Sequence, residues 1–95
     1  MPSYDVAHIR EQGIDLIIVP LQSTFGGLPQ AEREATIQYL QRCANSAGLA
    51  GTVVPVRDAG GGRMGFIAPS NWHPFFNTIN LGVVATNINL SLTCP

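Results

Sequence analysis

The feature that most constrains this chain is the apolar run at residues 14–21, where Ile14, Leu16, Ile17, Ile18 and Val19 are broken only by Asp15 before Pro20. A strand with one wet face alternates apolar and polar residues. A strand with almost no polar position is buried on both faces. The run therefore predicts a central strand. Pro20 lacks a ladder donor and weakens pairing at its end.

Residues 23–56 predict a crossover. Gly26 and Gly27 mark a loop over residues 23–28, and Pro29 suits the first turn of a helix. Ala31, Ala35, Ile37, Leu40, Cys43, Ala44 and Ala47 fall on one helical stripe or its margin, so the helix extends to about Ala47. Glu32 and Glu34 stand near its positive end, Arg42 lies toward its negative end, and Gly48 stops it. Residues 52–56 form a second strand, apolar on both faces and interrupted by Pro55, which places it at an edge or at a bulge. A strand, a long helix and a strand make a parallel crossover. Residues 64–68 give a third strand, paired antiparallel to the second through the loop 57–63 and ended by Pro69.

The two ends of the chain carry weaker signals. Ser3 can cap a short helix over residues 3–12, Asp5 suits its first turn, Val6 and Ile9 form a narrow stripe, and Gly13 can close it. Near the C-terminus Leu81, Val84, Ala85, Ile88 and Leu92 fit helical spacing, while Ile88, Leu90, Leu92 and Cys94 alternate as in a strand. A helix over residues 80–90 is the preferred expectation, and a fourth strand over the last eight residues is the alternative. The expected fold is an α/β or α+β domain spanning residues 1–95. Its order is helix–strand–helix–strand–strand–helix, around a mixed three-stranded sheet.

Composition narrows the function classes. Charged residues are 12% of the chain against a usual ~25%, and the net charge is −1. Nothing supplies the basic face that nucleic acid demands, and no run approaches the ~20 apolar residues of a membrane helix. Residues 1–5 do not begin a signal peptide, so a cytoplasmic location is expected. Cys43 and Cys94 are too far apart for a zinc spacing, and Cys43 is expected as a reduced core residue. Strands buried on both faces need more cover than one helix provides; the N-terminal and C-terminal helices, or a second copy, are expected to cover the other face, and a homodimer is the expected assembly.

Three regions are candidate sites. The first is Arg57, Asp58, Gly61 and Arg63 around three consecutive glycines, which can present N–H groups to an anion. Phosphate cradles lie between a strand and a helix, whereas these glycines lie between two strands, so a mobile hairpin tip is the commoner meaning. The second is Trp72, His73, Pro74, Phe75 and Phe76. Trp72, Phe75 and Phe76 fit an interface or the cap of a core equally well. The third is Thr24, in the loop at the carboxyl end of the first strand, where α/β sheets bind ligands. His73 with Asp58 or Ser70, and His8 with Asp5 or Asp15, have the chemistry of catalytic pairs but no motif around them. The expected function is a non-enzymatic binding or regulatory module acting as a homo-oligomer, with no cofactor. The alternative is a small-molecule or anion-binding protein, enzymatic or not, using Thr24, Arg57, Asp58, Gly61, Arg63 and His73.

Overall fold

The computed structural model describes residues 3–60, 63–68 and 70–94. Its elements are β1 (Ser3–Glu11), β2 (Ile14–Pro20), a 3-10 turn (Ser23–Gly27), α1 (Gln30–Ser46), β3 (Thr52–Gly60), β4 (Arg63–Phe66), a second 3-10 turn (Ser70–Trp72), α2 (His73–Asn77), α3 (Leu81–Thr86) and β5 (Leu90–Thr93). The class is the expected one, a small α+β domain on a mixed sheet. The sheet has five strands rather than three, in the order β4-β3-β2-β1-β5. β2 and β3 are parallel, joined by α1, and the other pairs are antiparallel.

The expected N-terminal helix is corrected to a strand. Val6 and Ile9 would share one face of a helix, but they pack against opposite faces of the sheet. Gly13 closes a hairpin and not a helix. Gln12 and Gly13 have φ of 53° and 77°, the paired positive values of a two-residue hairpin turn, and Glu11 faces Ile14 across it. β1 then divides its pairing. Residues 7–11 pair with β2, and residues 3–6 pair with β5. Just before β5 begins, the Asn89 amide replaces a peptide: Nδ2 donates to the His8 carbonyl and Oδ1 accepts from the His8 N–H, each at 2.9 Å.

Pro55 needs a second correction. β3 is an interior strand, and its register shift falls between Asp58 and Gly60 rather than at the proline. The Pro55 carbonyl accepts from Ile67 N–H at 3.1 Å, just past the last β4 pair at Phe66. A residue's N and O point to the same side of a strand, so the missing donor faces the side where the β4 ladder has stopped.

Both expectations for the C-terminus hold in part. α3 is a short helix capped by Asn80, whose Oδ1 accepts from Val83 N–H at 3.0 Å, and β5 follows it as a strand. Asparagine is a poor interior helix residue but a good cap, which is why the helix is short and begins there.

Two cores sandwich the sheet. On one face Val6, Ile17, Val19, Val53 and Leu92 meet Leu40, Cys43 and Ala44 of α1. On the other, Ala7, Leu16, Ile18, Val54 and Val56 lie under Trp72, Phe76 and Val84. The second face, for which the terminal helices or a partner copy were expected, is covered by residues 72–88 of the chain itself. Cys43 is buried as expected but is not free: it is joined to Cys94 by a disulfide, with Cα atoms 5.2 Å apart. Gln41 fixes the start of β3 by accepting from Val53 N–H at 2.9 Å and donating to the Gly51 carbonyl at 3.1 Å. Gly51 has φ +124°, and a Cβ there would lie 2.6 Å from the Asp15 carbonyl oxygen, so this approach admits only glycine. Among the described residues no helix is long and apolar enough to cross a membrane.

Candidate functional site

The expected ligand-binding residues are divided between the two faces of the sheet. Strand alternation puts Arg57 on the α1 face with Val53, and Asp58 on the opposite face with Val54 and Val56. The Arg57 guanidinium lies close against two glycines, Gly26 and Gly65. A Cβ at Gly26 would collide with it, and one at Gly65 would stand 2.8 Å from its Cζ. The missing side chains let the arginine tie the 3-10 turn that carries Thr24 to the β3–β4 hairpin. Thr24 and Arg57 are therefore brought to the same end of the same face.

The others do not join them. The Asp58 carboxylate accepts from Gly60 N–H at 2.8 Å and so shapes the hairpin bulge. Arg63 opens β4, exposed and paired with Gly60. Gly61 lies outside the described residues. His73 stands on the opposite face, its Nε2 3.0 Å from the Ala68 carbonyl and its ring edge-on to Phe66. His8 forms no pair with Asp5 or Asp15. Its Nε2 is 2.9 Å from the Ala50 carbonyl.

The aromatic connector belongs to the second core. Trp72 and Phe76 are buried, and Phe75 is half-buried between them, with ring centroids 5.7 Å from Trp72 and 5.2 Å from Phe76. Among the described residues no three His, Cys, Asp or Glu side chains group as metal ligands.

Two of the clefts among the described residues are large enough for a small ligand and lie on opposite faces of the sheet. The first, of about 400 Å³, opens at the carboxyl end of β2, where Tyr4 of β1, Gln22 before the 3-10 turn, Thr24 and Phe25 within it, Leu28, and Thr36 of α1 converge. It is the place that the rule for open α/β sheets singles out, beyond the end of a strand that crosses over to a parallel neighbour. Its described lining holds no charged side chain. Thr36 Oγ1 donates to the Glu32 carbonyl at 2.9 Å, while Tyr4, Gln22 and Thr24 keep their side-chain groups uncommitted among the described residues. The second cleft, of about 370 Å³, lies between the sheet and α2–α3.

The chain matches no family model, no curated protein and no solved structure. The clefts must be read from their own chemistry. Of the first cleft's polar residues only Thr24 was visible in the sequence, from its place after an apolar run. Tyr4 lay in a stretch expected to be helical. Thr36 lay mid-helix, with nothing nearby to signal a binding role.

Proposed function

We propose that the protein is a non-enzymatic binding module for a small, uncharged, polar molecule held in the cleft at the carboxyl end of β2. The observation that carries this reading is the lining of that cleft. Hydroxyl and amide groups from Tyr4, Gln22, Thr24 and Thr36 stand around apolar walls from Leu21, Phe25 and Leu28, with no charge among the described lining residues. Its size falls in the ~300–1,000 Å³ of small-ligand clefts, and a few polar groups on apolar walls is the composition of such sites. A lining without charge favours hydroxyls and amides over phosphates, so the anion-binding alternative finds less support here. A panel of polyols, nucleosides and amides read by thermal shift tests the proposal, because a ligand of the folded state raises its apparent stability. At least one should raise Tm in the parent and not in Thr24→Val or Leu28→Trp. No shift across the panel, or a shift equal in all three proteins, refutes the assignment.

Pairing of copies remains a second reading on a different footing. Ile14, Ile67, Val83 and Leu90 are large apolar side chains that stay exposed, and the chain's low overall charge, 12% of its residues, does little to oppose association. Light scattering at micromolar concentration should return twice the chain mass. A single-chain mass refutes dimerisation. The buried Cys43–Cys94 bond favours an oxidising compartment over the cytoplasmic one expected from the sequence.

A further inference from the structure

The cleft on the second face has a different chemistry. Its floor and walls are apolar, built by Ile9 and Ile18 of the sheet and by Phe75, Ile79 and Val83 of the covering segment. Two polar side chains at its margin are hydrogen-bond acceptors. Glu11 is half-buried at the end of β1, and alternation places it on the same face as Ala7 and Ile9. It forms no ion pair among the described residues. Asn87 donates one amide N–H to the Val83 carbonyl at 2.8 Å, which leaves its oxygen as an acceptor and a second N–H as a donor. Arg10 also borders this cleft, but its Nη2 is turned to the Gly13 carbonyl, 3.5 Å away.

We propose that this cleft binds a primary amine with a compact apolar body, the ammonium group meeting Glu11 and Asn87 and the body lying on Ile9, Ile18, Phe75 and Val83. An ammonium has three donors and no acceptor, which matches the Glu11 carboxylate and the Asn87 amide oxygen. A half-buried carboxylate beside apolar walls gains most from a partner that brings the opposite charge and hydrogen bonds together. A carboxylate ligand would meet repulsion at Glu11, and an alcohol would leave its charge unmatched. The site is independent of the cleft at the end of β2, which lies on the α1 face.

Three probes of similar size separate the possibilities: phenethylamine, phenethyl alcohol and hydrocinnamate, titrated by NMR at neutral pH and followed at the amides of Ile9, Val84 and Asn87. Phenethylamine should bind about tenfold more tightly than either of the others, the usual scale of a charge-assisted hydrogen bond. Glu11→Gln should remove that preference and leave weak binding of the alcohol. Val83→Trp should fill the mouth and weaken amine and alcohol alike, while the backbone spectrum away from the cleft stays as in the parent. Equal binding of amine and alcohol, a Glu11→Gln variant that keeps the preference, or no perturbation of these amides by any probe at millimolar concentration would overturn the proposal.

Discussion

Reducing the Cys43–Cys94 bond should lower the free energy of unfolding by about 4 kcal/mol. The two residues are 51 apart in sequence, and the entropy of closing a loop of that length in the unfolded chain sets this scale. Small domains have ~5–15 kcal/mol in total, so the loss takes a large share. The bond also has a local task. It fastens the residue after β5 to the buried side of α1, and β5 is otherwise paired to β1 over four positions. With the bond open, the amides of residues 90–93 should exchange well before those of β2. Urea denaturation with and without reductant, alongside a Cys43→Ala/Cys94→Ala variant, measures the global effect. Unchanged midpoints in both would show that the cross-link does not constrain the unfolded chain.

The second large effect concerns Phe76. Its side chain is 1% exposed, and its ring lies 5.2 Å from both Phe66 and Phe75, where it closes the second core over Ile18 and Val56. Phe76→Ala should cost about 3–5 kcal/mol of stability, the range for truncating a buried phenylalanine. Phe76→Leu keeps most of the volume and should cost far less. Denaturation midpoints distinguish this from the interface role that the density of aromatic residues also suggested. A variant that kept the parent's stability but lost assembly, followed by light scattering, would restore the interface. The same experiment on Trp72 bears on the same question, because it too lies inside the chain's own core.

Much of the fold is legible in residues near one another. α1 draws its hydrogen bonds from its own backbone, so the stripe through Leu40, Cys43 and Ala44, with Pro29 before it and Gly48 after, was enough to place it. The nearly continuous apolar run before Pro20 announced β2 as a central strand, and it lies in the middle of the sheet. The parallel pairing of β2 with β3 and the β3–β4 hairpin followed from the length of the crossover and the glycines between β3 and β4.

β1 could not be read in this way. Its residues carry a respectable cap at Ser3 and a three-residue apolar spacing, and those local preferences favour a helix. They are overruled because β1 draws its bonds from β2 and from β5 at the far end of the chain, where Ser3 faces Thr93. The Cys43–Cys94 bond is of the same kind, since no spacing rule brings those residues together. So are the clefts. Tyr4, Thr24 and Thr36 meet in one, and Glu11 and Asn87 border the other, only after strand pairing has folded distant segments onto each other.

The sequence alone therefore determined the central strand, its helix crossover and the mixed character of the sheet, because helical bonding and two-sided burial leave their mark on consecutive residues. The tertiary structure decided the identity of the outer strand, the disulfide and which side chains share a cleft. A strand's bonds, a cross-link and a binding surface all belong to residues that are neighbours only in space.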